Sequence, residues 1–253
     1  MLLRSFGVYP PQGDTALLLS ALRQFPVRPG SRALDVGTGS GTVALSLAGA
    51  GAGEVWAVDV SRRAALTARL NAFLHRRRLT VRRGDFGECA AGQGRFDLVT
   101  ANPPYVPSRG AAVRARGMAR AWDAGPRGRD VLDRLCAAMP ELLAPGGTLL
   151  LVHSALCGVT ATLTGLRAVG LHASVVARRA QPFGPVLLRR APWLEEQGLI
   201  APGQRHEELV VVRADLPGTP GGRTGAPGAG AAEERPAEES LKESQSARPG
   251  GAG

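Results

Sequence analysis

Residues able to do chemistry concentrate in one stretch, Asn102-Pro103-Pro104-Tyr105, which closes the apolar run at residues 96–101. Two prolines fix the local backbone, so the Asn102 side chain and the Pro103 carbonyl can face one point. An amide or an exocyclic amine is a poor nucleophile, because its lone pair is delocalised into the neighbouring π system. Two acceptors that grip its N–H groups hold the nitrogen in line with an electrophilic carbon and favour pyramidal geometry. Tyr105 adds a flat face for a planar group. Orientation of this kind supplies roughly 7–11 kcal/mol of barrier lowering. No strong base is required before attack, since the proton becomes acidic once the nitrogen is alkylated. The bland reading, a Pro-rich loop leaving a strand, does not account for this residue set at this place.

A second constellation lies upstream. Ala33-Leu34-Asp35-Val36-Gly37-Thr38-Gly39-Ser40-Gly41 ends an apolar run with three alternating glycines. Such a turn lets a ligand approach the main chain closely. The dinucleotide pattern GxGxxG is not met, because the third glycine falls one position early and Thr42 takes its slot. Asp35 would repel a pyrophosphate but can hold the ammonium of an amino-acid moiety. Asp59 ends the next apolar run, at the spacing where an acid accepts both ribose hydroxyls; its bland alternative is a helix cap shared with Ser61. Arg83-Gly84-Asp85-Phe86 follows a third run, where Asp85 can meet an adenine amine and Phe86 can pack on the ring. In this order Asp35, Gly37, Gly39, Asp59, Asp85 and Phe86 describe one ligand that joins adenosine to an amino acid.

These residues need a scaffold that brings successive strand ends together. Strand patterns fall at residues 32–36, 54–58, 79–83, 96–101, 148–152, 171–177 and 209–213. Helical patterns fall between them at 40–50, 61–75, 130–143 and 160–168, with an earlier helix beginning at Asp14-Thr15 as its cap. Pro145-Gly146-Gly147 reads as a helix stop. Short, nearly unbroken apolar runs suit strands covered on both faces. The expected fold is α/β, a doubly wound, mostly parallel seven-stranded sheet with the site outside the carboxyl ends of its strands.

Composition sets the outer limits. The chain has 253 residues, 44% of them hydrophobic, which is enough for one α/β domain. Residues 1–214 are expected to form that domain. From Asp215 the sequence turns to Gly, Pro, Glu and Ser without apolar periodicity, so residues 215–253 are expected to be a disordered tail. The formal net charge is +10, and Lys242 is the only lysine. The tail carries six acidic against four basic residues, so the basic excess lies on the body. An Arg-rich, Ala-, Gly- and Pro-rich composition fits a GC-rich genome; it also fits steering toward nucleic acid. Cys89, Cys136 and Cys157 lie far apart with no CxxC, which points away from metal and disulfides and toward a reducing, cytoplasmic setting. The first residues lack the apolar core of a signal peptide, and no membrane span is expected.

The motifs together resemble the HemK-related glutamine methyltransferases, which modify the Gly-Gly-Gln glutamine of translation release factors. The resemblance covers about residues 7–213. Gly7-Val8-Tyr9-Pro10-Pro11-Gln12-Gly13-Asp14-Thr15 is similar to the segment V-Y-x-P-x-x-D-T of the short branch found in eukaryotes and archaea. Trp122-Asp123-Ala124-Gly125-Pro126-Arg127-Gly128 resembles the family's Gly-rich segment after the reaction motif. The resemblance implies S-adenosyl-L-methionine as cofactor, with Thr15, Asp35, Gly37, Asp59, Asp85 and Phe86 around it, and Asn102 as the substrate-gripping residue. It implies a release factor as protein substrate, and the short eukaryotic forms work with a small zinc-binding subunit. The chain departs from the short branch at Pro10 and Gly13, where acids are usual, and an N-terminal helical domain like that of the bacterial enzymes is not expected. On the residues alone, methylation of an exocyclic amine in RNA or DNA stays open beside glutamine methylation, and so does a scaffold that only binds the cofactor. Aromatic residues at 4% and the lack of a target-recognition module weigh against base flipping.

Overall fold

A computed structural model describes residues 2–3, 7–8, 10–111 and 117–218. The described chain runs α1 (Gly13–Gln24), β1 (Arg32–Val36), α2 (Thr42–Gly49), β2 (Glu54–Asp59), α3 (Arg62–Leu74), β3 (Thr80–Arg83) and α4 (Phe86–Ala90). It continues through β4 (Phe96–Ala101), α5 (Asp130–Leu142), β5 (Leu143–Ser154), α6 (Val159–Ala168), β6 (His172–Pro182), α7 (Pro185–Glu196) and β7 (His206–Asp215). Seven strands form one sheet in the order β3-β2-β1-β4-β5-β7-β6. All neighbours pair in parallel except β7, which runs antiparallel to both β5 and β6. The expected α/β, mostly parallel seven-stranded sheet is the fold observed.

Helices cover the sheet because its central strands are apolar on both sides. Leu34, Val99, Leu149, Leu150 and Leu151 are fully buried, as are Leu18, Leu47, Leu132 and Met139 from the helices. The strand order reverses between β1 and β4, where Asp35 stands opposite Thr100 and Val36 opposite Ala101. Open sheets bind ligands at such a reversal, because the two following connections diverge and leave a crevice. The glycine turn after β1 and the polar tetrad after β4 therefore meet.

Tertiary pairing overrode local signals at several places. Asp14 and Thr15 do not cap α1: Gln12 occupies the cap position without a side-chain bond, and both residues lie buried in the first turn. Ser61 does cap α3, accepting from the Ala64 N–H at 3.3 Å. Residues 145–147 are not a helix stop of the glycine type, because Leu143 is already extended and begins β5. α7 went unread, since Pro192 sits inside it. Pro185 at its start is compatible with a first turn, and buried Leu187, Ala191 and Leu194 hold the rest. β7 ends at Asp215, and Leu216 still bonds Gly147 at 2.9 Å. Residues 219–253, most of the expected tail, lie outside the described residues, as does Tyr9.

Candidate active site

The turn after β1 is stitched to the end of β2. Gly37 and Thr38 donate their N–H groups to the Val58 carbonyl at 2.9 and 3.1 Å. Asp59 accepts from the Gly39 N–H at 3.0 Å with one oxygen and from the Ser61 N–H at 2.8 Å with the other. The cap reading of Asp59 and its ligand reading are therefore compatible, because each carboxylate oxygen has a second lone pair. Burial raises its carboxyl above the usual range.

Asp35 is 2% exposed and accepts hydroxyl bonds from Thr38 at 2.7 Å and Thr100 at 2.8 Å. Burial pushes its carboxyl up to about 6, against the pull of those two hydroxyls. A cation beside it would favour the ionised form, so binding of an ammonium group there should release a proton. Below about pH 6 the carboxyl must first lose its proton, which weakens binding. Cofactor affinity is expected to fall about tenfold from pH 7 to pH 5. Calorimetry at both pH values, repeated in buffers of different ionisation enthalpy, measures the affinity and the proton release. A flat profile would remove Asp35 from the ammonium.

Asp85 caps α4 by accepting from the Gly87 N–H at 3.0 Å, and its other oxygen accepts from Arg134 at 2.7 Å. The same guanidinium lies 5.4 Å from the centre of the Phe86 ring. Arg134 thus fixes both residues expected at the adenine. Its place on α5, 49 positions from Asp85, left no local signal.

The tetrad is braced from behind. Val106 donates to the Trp122 carbonyl at 2.7 Å, and Ala124 donates back to Val106 at 3.1 Å. Ser108 donates to Gly125 at 2.8 Å. Gly128 leaves no room for a side chain, since a Cβ there would lie 2.4 Å from the Tyr105 carbonyl oxygen. That carbonyl also accepts the Cys157 thiol at 2.9 Å. Residues 122–128 are therefore the buttress of the reaction motif. On the other side Asn102 donates its N–H to the Val36 carbonyl at 3.2 Å, closing the strand ends together.

Thr15, Asp35, Gly37, Gly39, Asp59, Asp85, Phe86, Asn102, Pro103, Pro104 and Tyr105 all line one cavity of about 610 Å³. Every residue expected at the site is thus brought to one place. The volume is in the range of small-molecule sites. Its residues fit S-adenosyl-L-methionine: a glycine turn open to close approach, the acids Asp35 and Asp59 beside it, and the buried ring of Phe86. Sequence reasoning missed Asp14, Thr38, Thr100 and Arg134. Thr100 was the most findable, standing in β4 two residues before Asn102.

A doubly wound sheet with this turn, this acid order and this tetrad at the strand reversal defines a class I S-adenosylmethionine-dependent methyltransferase. The methyltransferase small domain family matches residues 11–121. A Methanocaldococcus jannaschii protein named a protein N5-glutamine methyltransferase is 30% identical over 184 residues, covering 73% of this chain and 91% of its own. A release factor glutamine methyltransferase of Bordetella pertussis is 37% identical over 150 residues, 56% of this chain and 55% of that protein. The chain thus spans about half the length of that bacterial relative. Among solved structures, the E. cuniculi Mtq2-Trm112 complex for methylation of the eRF1 termination factor matches with a TM-score of 0.58 and 22% identity. That match covers 83% of this chain and 99% of the other. The chain belongs to the HemK-related protein N5-glutamine methyltransferase family.

Proposed function

We propose that this protein methylates the side-chain amide nitrogen of the glutamine in a Gly-Gly-Gln segment of a translation release factor. The observation that carries the reading is the seat of Asn102. Its side-chain amide N–H faces Thr15 at 3.4 Å, which turns its carbonyl away from that residue as an acceptor for a substrate N–H. Tyr105, braced through its own carbonyl, offers a wall for a planar amide. When bound, the cofactor would supply an electrophilic methyl group on a sulfonium, whose carbon–sulfur bond breaks as the carbon–nitrogen bond forms and leaves a neutral thioether. Asn102 and the Pro103 carbonyl hold the amide nitrogen toward that methyl and bend it out of conjugation. The proton leaves the nitrogen after the new C–N bond has formed, so the site needs no strong base.

The names of the relatives support a release factor as substrate, and the two-protein composition of the structural neighbour supports a small activating subunit. Among the described residues no helix is long and apolar enough to cross a membrane. With a translation factor as substrate, the cytoplasm is the proposed place of action.

The test is transfer of labelled methyl to a release-factor domain that carries Gly-Gly-Gln, with its Gln→Glu form as control. Label is expected on the glutamine domain and absent from the control. Label found instead in RNA or DNA would replace this reading with methylation of a nucleobase amine.

A further inference from the structure

The Asn102 amide can sit in two orientations of nearly equal shape, and only one presents its carbonyl to a substrate N–H. What selects between them is not in the tetrad. Thr15 has one hydroxyl proton, and the hydroxyl donates it to the Asp14 carboxylate, with Oγ1 3.2 Å from Oδ1. The same oxygen takes the Thr15 backbone N–H at 2.5 Å. With its proton committed, the Thr15 oxygen meets Asn102 through a lone pair, and only the NH₂ end of the amide can satisfy it. The second Asp14 oxygen accepts the Tyr105 hydroxyl at 3.2 Å. One buried carboxylate, 4% exposed, therefore ties both ends of the reaction motif.

We propose that Asp14 is a positioning residue that sets the orientation of the Asn102 amide through the Thr15 hydroxyl. A carboxylate is suited to this because it accepts hydrogen bonds and donates none when ionised. Without an acceptor at this position the Thr15 hydroxyl is free to turn and donate to the Asn102 carbonyl. The amide then reverses and offers a donor to a substrate nitrogen that is itself a donor. The grip is lost while the cofactor cradle, built on the turn after β1, stays whole.

The inference rests on the proposed role of Asn102 in gripping the acceptor, and the experiment separates the two. Single-turnover methyl transfer is measured for Asp14→Ala, Asn102→Asp and the double variant, with cofactor affinity by calorimetry. Asp14→Ala is expected to lower the transfer rate about thirtyfold, with cofactor affinity within about threefold of wild type. Asp14→Asn keeps a carbonyl facing the Thr15 N–H and is expected to recover most of the lost rate. In the Asn102→Asp background there is no amide to orient, because a carboxylate presents an acceptor in either orientation. There Asp14→Ala is expected to cost less than about threefold, so the two substitutions are strongly non-additive. Thr15→Val, which removes the hydroxyl with little change of shape, should show the same coupling to Asn102→Asp. It keeps the question open to measurement if Asp14→Ala does not fold.

Equal losses from Asp14→Ala in both backgrounds would overturn the proposal, since a residue that only supports the fold does not sense what stands at 102. A wild-type rate in Asp14→Ala would overturn it equally. Failure of the glutamine reading looks different: the wild-type protein would leave the Gly-Gly-Gln domain unlabelled and label another acceptor. The same cycle is then run on that acceptor, and coupling or additivity decides the role of Asp14 as before.

Discussion

Asn102→Ala is expected to reduce methyl transfer at least about a hundredfold, a loss of roughly 2.7 kcal/mol of transition-state stabilisation. Cofactor affinity should fall only modestly. On the proposed reading the two effects part because Asn102 serves the acceptor with its side chain, while its main chain binds the sheet. Its backbone N–H bond to Val36 survives the substitution, so the turn at Gly37 stays where it is. What goes is an acceptor for the substrate amine, and with it the orientation that makes a delocalised nitrogen reactive. Asn102→Asp should fall between Ala and wild type, since it keeps an acceptor but loses the N–H toward Thr15. Single-turnover transfer to a Gly-Gly-Gln domain reads the first effect, and calorimetry with the cofactor reads the second. A wild-type rate in the Ala variant would take the gripping role away from Asn102.

Replacing Gly37 with alanine is expected to damage both stability and activity. Its φ is +72°, and an added Cβ would lie 2.8 Å from the backbone oxygen of Asn102. Neither partner can step aside. Gly37 is bonded to Val58, and Asn102 enters the rigid proline pair. The left-handed backbone and the overlap together should cost roughly 2–4 kcal/mol, lowering the melting temperature by roughly 5–15 °C. Transfer should drop on the order of a hundredfold, because the reaction motif must shift by a fraction of an ångström or more to relieve the contact. Gly39→Ala is the control: it shares a positive φ of +54°, yet nothing lies within 4 Å of its Cβ position. It should lose about 1 kcal/mol and keep the motif in place. Scanning calorimetry measures the pair, and single-turnover transfer the Gly37 variant; equal losses of stability at both positions would mean that contact with Asn102 is not what Gly37 provides.

Much of this protein could be read before folding because its signals are local. A glycine turn, an acid at a strand end and a Pro-fixed tetrad each lie within ten residues, and the alternation of strand and helix patterns is enough to place them at strand ends. The parallel sheet then brings those ends to one edge, so Asp35, Asp59, Asp85 and Asn102 converge without further instruction. The errors also have a common cause. Asp14-Thr15 has the composition of a cap, but capping depends on backbone angles at a boundary that the packing of α1 moved to Gln12. α7 carries an internal proline that argues against a helix, and burial of Leu187, Ala191 and Leu194 outweighs it.

The sequence by itself determined the α/β class and picked out residues that come to line one cavity, Asn102 among them. Only the tertiary structure decided how those residues are oriented. Asp14 and Tyr105 are 91 positions apart, Thr15 and Asn102 are 87 apart, and Arg134 reaches Asp85 across 49. A side chain's local sequence states what it can donate or accept. Which way its proton or its amide turns depends on a partner that the chain supplies only after the sheet has closed.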